Sequence, residues 1–595
     1  MDSSRHPVLL LQLPIPPPGP QPIHGNVPLA AAYLKLFAER QGLGDAYTID
    51  ILPPPLVNAL GDQGLVDAIL CRQPWMVGFT CYIWNVERTL WIAERLKEAR
   101  PELKIVVGGP EITADNDWVL KRPAIDYAVI GEGEQTFAEL LEALRHGPVP
   151  AGPIPGLVVL PSGGTPGFRR PLRDLDVISS PYLAGILDAA DEKLMFLETV
   201  RGCRFHCKFC YYPKSYDALY FLPTEKIAAT LKHAADRGAT EVTILDPTLN
   251  QRRDFSDFLR LLAQCNPDRQ FTYNAELRSE GIGAEEAQLL RQANFDEIEI
   301  GLQSLDPQAQ ELMGRKVNLK AFERGARAML DAGISVRVDL ILGLPGDTVE
   351  SVRRGIDYLH QSQLYTNVQV FNLSILPGTA FRHEVDQLGL THQPRPPYYV
   401  LGTPTLTLDD MYLLMQEAQD AFGIEFDPFP PPQFDLPDPG DGVSRVWRVD
   451  LDSEPSSPPP ATSRSHVFTL WFRSADFDRQ RKPAASLVRR LLTDNPHSTL
   501  QIILEPTGRP ETVTERTLQA LQEACYEGTS YLDLFYSLHP NSLLAAKRLI
   551  VLAPLAERAR LGLPWIDQIG TYATLAWSGG SLPEEELEGH EYCVP

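Results

Sequence analysis

From residue 8 to residue 375 the chain alternates apolar runs of strand length with stretches of helical periodicity, and this alternation leaves few folds open. Strand-like runs at 8–13, 47–52, 75–80, 104–107 and 127–130 are interleaved with helix-like stretches at 28–41, 87–98 and 134–144. A second series follows, with strands at 196–201, 241–246, 270–276, 297–303, 335–342 and 367–375. Helical stretches at 224–237, 254–264, 284–293, 319–332 and 349–361 separate them. Strand, helix, strand is the connection that parallel pairing requires. The expected fold class is therefore α/β, beginning with a doubly wound, Rossmann-like domain in residues 1–145. A connecting segment, 146–195, is broken by Gly152-Pro-Ile-Pro-Gly156. A central partial (βα)6 TIM-like barrel with a helical extension occupies 196–425. Residues 426–464, rich in Pro, Asp and Ser, read as a linker. Residues 465–595 resume the alternation as a small α/β or α+β domain of unknown role.

At the head of the second series lies Thr199-Val-Arg-Gly-Cys-Arg-Phe-His-Cys-Lys-Phe-Cys-Tyr-Tyr-Pro213. It sets Cys203, Cys207 and Cys210 in C-x3-C-x2-C spacing on a tight loop after a strand. Three thiolates can hold three irons of a cubane cluster and leave the fourth iron to a small chelating molecule; a closed electron-transfer cluster takes a fourth thiolate. The competing reading is zinc, which prefers four ligands, often in C-x2-C pairs. His206 is the nearby fourth candidate, but it adjoins Cys207. The spacing, with aromatic Phe209 before the third cysteine, resembles the signature of the radical S-adenosylmethionine (SAM) superfamily. That resemblance implies a 4Fe-4S cluster on Cys203, Cys207 and Cys210, its open iron chelated by SAM. The other cysteines are scattered, unlike a disulfide framework.

A net charge of −23 argues against nucleic acid as partner, since phosphate binding needs a basic surface. No apolar run reaches the length of a membrane span, and the first residues lack a signal pattern, so the expected location is the cytoplasm.

In a doubly wound sheet, ligands bind beyond the C-terminal strand ends. The loops expected there are 14–28, rich in Pro and Gly, then Cys81-Tyr-Ile-Trp-Asn-Val86, Gly108-Gly-Pro-Glu111 and Gly131-Glu-Gly-Glu134. Glycines at such ends let backbone approach a large flat ligand or a nucleotide tail. These loops, upstream of the cysteine triplet, resemble the cobalamin-binding domain of class B radical SAM enzymes. The resemblance implies cobalamin against Tyr82, Trp84, Asn85, Gly108, Gly109, Glu111, Gly131, Glu132 and Gly133. The D-x-H-x-x-G pattern that supplies a cobalt-binding histidine is absent. Trp84 or Asn85 would instead shield the lower cobalt face, or Trp84 simply packs.

The barrel strand ends carry polar residues in an order similar to a SAM pocket. The resemblance implies SAM contacts from Phe209, Asp246, Glu276, Gln303, Ser304, Arg315 and Asp339. Asp246-Pro-Thr-Leu-Asn250 stands where other members carry a glycine-rich turn. Arg315 offers a guanidinium fork to a carboxylate. Tyr211, Tyr212 and Tyr273 either line a substrate pocket or pack. The DPTLN turn, the CYIWN phrase and the LPGT…PPYYVL run resemble a largely uncharacterised subgroup of the cobalamin-linked family, and the resemblance covers about residues 5–425. It implies an enzyme that methylates an unactivated carbon of a small-molecule or peptide substrate. Its electrons would come from a flavodoxin or ferredoxin. The alternatives are a radical cyclase or ring-rearranging enzyme, or a sensor of cluster and corrinoid state.

Overall fold

The computed structural model describes residues 5–594 apart from 150, 151, 153, 162–168, 213–214, 437–440, 454–456, 528, 539–545, 584–585 and 588–589. Part of the expected linker, Pro213 and Pro153 therefore lie outside the described residues.

The first sheet contains β1 (His6–Gln12), β2 (Tyr47–Ile51), β3 (Met76–Thr80), β4 (Lys104–Gly108), β5 (Tyr127–Val129) and β6 (Leu157–Val159). Their order is β2-β1-β3-β4-β5-β6, parallel except for the antiparallel edge strand β6. Alternation within β1 shows why both faces need cover. Val8 and Leu10 pack under helices Leu29–Arg40 and Glu134–His146, while Leu9 and Leu11 pack under Asp62–Leu70 and Val86–Ala99. The chain winds both ways from β1, so a crevice opens between the C-terminal ends of β1 and β3.

The second sheet is built from β7 (Leu194–Leu197), with β8 (Val200–Arg201) and β9 (Tyr220–Phe221) forming a small hairpin beside it. Then come β10 (Glu241–Ile244), β11 (Thr272–Leu277), β12 (Phe295–Gln303), β13 (Ser335–Leu342) and β14 (Asn367–Asn372). The order β14-β13-β12-β11-β10-β7 is wholly parallel and its ends do not pair, giving a six-stranded partial barrel. The stretch 196–201, expected as one strand, breaks after Leu197 and resumes as β8.

A short hairpin, β15 (Thr391–His392) with β16 (Val400–Gly402), precedes helix Leu408–Phe422. The third sheet comprises β17 (Ser444–Asp450), β18 (Arg464–Ser474), β19 (Thr499–Pro506), β20 (Lys547–Pro554), β21 (Thr574–Ser578) and β22 (Glu591–Cys593). All six strands pair in sequence order and in parallel, so this domain is α/β. Its first strand corrects the expected linker 426–464. Trp447 and Val449 alternate into the core there, but the Pro- and Asp-rich flanks mask so short a pattern.

The third sheet packs against the first through a buried polar joint. Arg88 bonds Asp62 at 2.7 Å and the Leu60 carbonyl at 2.8 Å, with His466 at 3.4 Å; all three side chains are buried. Among the described residues no helix is long and apolar enough to cross a membrane.

Candidate functional site

The cysteine loop is held from two sides. Gly202 stands at φ +99°, and a Cβ there would lie 2.2 Å from the Ala218 carbonyl, so only glycine makes the turn into Cys203. Gln251 accepts from the Arg204 amide at 3.1 Å and donates to the Gly202 carbonyl at 3.1 Å. Lys208 N donates to the Met313 carbonyl at 2.9 Å, which ties the loop to the end of the fourth barrel repeat. Cys207 is buried; Cys203 and Cys210 are half-buried and reduced. Burial pushes the Cys203 thiol up and the Cys210 thiol up to about 11, with neighbouring thiols adding. Crowded thiols of this kind become thiolates when a cation arrives. Among the described residues no group of three His, Cys, Asp or Glu side chains converges on a mononuclear ion position.

Above the loop, a pocket of about 310 Å³ opens at the C-terminal strand ends, lined by Phe209, Thr248, Glu276, Arg278, Gly301, Gln303, Arg315 and Asp339 among others. Several of its polar atoms are buried without a partner: Gln303 Oε1, Arg278 Nε, Arg315 Nε and Asp339 Oδ1. Buried polar groups are ordinarily hydrogen-bonded, so this concentration marks where a polar ligand belongs. Gln303 sits at φ +66°, an uncommon conformation for a non-glycine residue. It is accommodated because a Cβ on Gly301 would meet Gln303 Nε2 at 2.0 Å, and the glycine has none. Arg315 donates to the Gly301 carbonyl at 2.5 Å and keeps Nε free. Arg278 lies 3.9 Å over the Phe205 ring. Glu276 is exposed to the barrel interior yet enclosed by protein; that desolvation, then the charge of Glu299, pushes its carboxyl up to about 7. Asp339 is 5% exposed and raised well above the usual carboxylate range, first by burial and then by Glu299.

Two residues expected in this pocket are turned elsewhere. Asp246 accepts from the amides of Thr199 at 2.8 Å and Val200 at 3.0 Å, and from the Thr199 hydroxyl. Its carboxylate clamps the strand that leads to the cysteines, and its lone pairs are spent there. Ser304 donates to Asp347 at 2.8 Å, behind the barrel wall.

A larger cavity, about 760 Å³, lies between the first sheet and the barrel. Tyr82, Trp84, Gly108, Gly109, Gly131, Glu132 and Gly133 all line it, and the Tyr82 and Trp84 rings stack at 4.5 Å. Gly109 stands at φ +107°, its missing Cβ 2.6 Å from the Cys81 carbonyl, so the second and third loops meet backbone to backbone. Among the described residues that line it, none is histidine. Asn85 and Glu111 are corrections. Asn85 turns inward, donating to the Leu13 and Thr80 carbonyls at 2.9 and 3.2 Å. Glu111 accepts from the Tyr398 hydroxyl at 2.8 Å and joins the first sheet to the loop after the barrel. Both close the loop geometry rather than face the cavity.

On the barrel side the cavity is walled by residues that sequence reasoning missed: Glu198, Arg201, Tyr216, Glu297, Glu299 and Arg337. Of the three tyrosines that either line a pocket or pack, Tyr212 lines this wall and Tyr273 packs fully buried in the core, donating to the Leu262 carbonyl. Arg201 bonds Glu132 at 2.9 Å and Glu134 at 2.7 Å across the domain boundary, and Glu198 at 3.1 Å beside it. The T-V-R-G-C phrase contained Arg201, but its partners lie 67 and 69 residues upstream, where no local signal reaches. Three thiols at one strand end, orphaned polar atoms above them and a glycine-lined cavity opposite fit a cluster, SAM and cobalamin respectively.

The comparisons agree. Residues 197–359 match the radical SAM superfamily model and residues 26–141 match the B12 binding domain model. The cobalamin-dependent radical SAM methyltransferase TokK of Streptomyces tokunonensis is 26% identical over 415 residues, covering 66% of this chain and 60% of its own length. The 2-(S-pantetheinyl)-carbapenam-3-carboxylate methyltransferase of Streptantibioticus cattleyicolor is 27% identical over 437 residues, covering 67% and 62%. The chain thus spans about three-fifths of the length of these relatives. The structure of the cobalamin-dependent radical SAM enzyme OxsB, with aqua-cobalamin and SAM bound, shares the fold at a TM-score of 0.57 and 15% identity, covering 70% of this chain and 67% of that one. Residues 197–359 thus carry a radical SAM domain and residues 26–141 a B12 binding domain, in one chain similar to cobalamin-dependent radical SAM methyltransferases.

Proposed function

We propose that this protein is a cobalamin-dependent radical SAM methyltransferase acting on an unactivated carbon of a small-molecule or peptide substrate. The observation that carries the reading is that the barrel pocket and the larger cavity share a wall, Glu276 and Glu299, so that one substrate can reach both. Both curated relatives described above are methyltransferases, which supports methyl transfer over cyclisation. When bound, the cluster with SAM supplies hydrogen-atom abstraction and cobalamin supplies the methyl group.

The chain's own residues do the rest. Cys203, Cys207 and Cys210 hold the cluster. Arg315, with Nε free, takes the SAM carboxylate, and Gln303 and Glu276 take its ribose and amino side. Tyr82, Trp84 and the loop glycines receive the corrin and its tail. The ion-paired joint at Arg201 ties the sheet to the barrel at the cavity wall. In this reading residues 1–145 carry cobalamin and residues 196–425 carry cluster and SAM. The electron donor is a flavodoxin or ferredoxin, and the protein works in the cytoplasm.

The test is anaerobic reconstitution with iron, sulfide and hydroxocobalamin, followed by mass spectrometry of SAM products under reducing conditions with candidate substrates. S-adenosylhomocysteine together with 5′-deoxyadenosine is expected. 5′-Deoxyadenosine alone would favour cyclisation or rearrangement, and neither product would leave a sensor.

A further inference from the structure

The interior of a parallel barrel is ordinarily filled by layers of bulky branched side chains. Here the strand register sets Glu276 beside Glu299 and Glu299 beside Arg337, with Glu297 two residues before and Asp339 beside Gly301 just beyond. All five side chains line one or both cavities. Four carboxyls thus surround Arg337, and Arg315 acts on Glu276 from the SAM-pocket side. Arg337 is engaged by Glu299 and reaches Glu297 at 3.5 Å. Among the described residues the Glu276 carboxylate has no hydrogen-bond or ion-pair partner. The buried Asp339, hydrogen-bonded to Glu299, keeps Oδ1 unpartnered at the SAM pocket. Enclosing unbalanced charge costs several kcal/mol per ion unless a partner balances it. The enclosed wall relieves part of that cost by holding protons: Glu276 is pushed up to about 7, by burial first. A cationic ligand would displace those protons.

We infer that the barrel interior receives the substrate through a positively charged nitrogen, an amine or a guanidine, held by Glu297 and Glu299. This inference rests on the enzymatic reading above and names its substrate class. Two other sources could supply a cation or donor: the amino and sulfonium groups of SAM, and the amide side chains of cobalamin. Glu297 separates them, because it lines the larger cavity and not the SAM pocket, and it stands on the barrel wall rather than on the sheet loops.

The experiment uses the full chain, reconstituted with cluster and cobalamin. Cadaverine, agmatine and lysine amide are titrated calorimetrically against glutarate, into wild type and Glu297→Gln. Iron, cobalamin content and SAM affinity are measured on the same samples. At least one amine should bind wild type, glutarate should not, and Glu297→Gln should weaken that amine about tenfold while keeping iron, cobalamin and SAM affinity. Glutarate binding as well as the amines, or no amine binding to the loaded wild type, overturns the inference. So does a variant that loses SAM or cobalamin while amine binding is unchanged, since the acid then serves a cofactor. Wild-type protein that takes up neither iron nor cobalamin overturns the functional reading itself.

Discussion

Replacing Arg201 by Gln tests whether the sheet and the barrel are held together by one buried cation. Arg201 is 5% exposed and serves Glu132, Glu134 and Glu198, themselves 5%, 7% and 23% exposed in their side chains. Removing one member of a buried ion-paired group typically costs roughly 3–5 kcal/mol, because the stranded charges lose their compensation. With a urea slope of about 2–3 kcal/mol per molar, the first unfolding transition should fall by roughly 1–2.5 M. The deficit should also depend on pH. Glu132 and Glu198 are already raised above the ordinary value of 4.5, by burial first, with Arg201 lowering both. A raised acid binds its proton more tightly folded than unfolded, so stability is full below the unfolded value and declines as pH rises through the folded one. Without Arg201 the folded values climb further. The gap between variant and wild type should therefore be small near pH 4.5 and widen toward pH 8. Urea titrations of the cofactor-free proteins at several pH values, followed by tryptophan fluorescence, measure this. A gap below about 1 kcal/mol, or one that does not change with pH, would refute the reasoning.

The joint replacement of Cys203, Cys207 and Cys210 by Ala should abolish iron binding on reconstitution, whereas Cys525→Ala should not; iron analysis decides, and unchanged iron in the triple variant removes the cluster from this loop. Arg315→Ala should weaken SAM binding about ten- to a hundred-fold, as the loss of a charge-assisted pair of roughly 1.5–3 kcal/mol implies, and Arg315→Lys should recover only part of it, lacking the fork. Calorimetry under anaerobic conditions reads both, and wild-type affinity in the Ala variant would take Arg315 out of the pocket. Glu276, pushed up to about 7, gains its charge as pH rises through neutrality, so SAM affinity should strengthen across that window and the dependence should flatten in Glu276→Gln; parallel profiles in both proteins would count against a contact.

What the sequence alone determined is whatever depends on neighbours along the chain. The two strand–helix series and the cysteine spacing are local patterns, written within a few turns of backbone, and the folded chain keeps them. Gly109 and Gly202 are legible for the same reason: tight turns at strand ends require positive φ, which favours glycine. Tertiary structure decided which way each polar side chain turns. Asp246, Ser304, Asn85 and Glu111 stand in motif positions yet point to Thr199, Asp347, Leu13 and Tyr398, because buried donors there needed an acceptor or buried acceptors, the Asp347 carboxylate and the Leu13 carbonyl, needed a donor. It also assembled what no window of sequence contains. Glu132 and Glu134 meet Arg201 across a domain boundary, and Glu276, Glu299 and Arg337 become one acidic wall only when parallel strands set them in register. Electrostatic partners are chosen by distance in space, and a parallel fold separates neighbours in space by a whole helix and its turns along the chain.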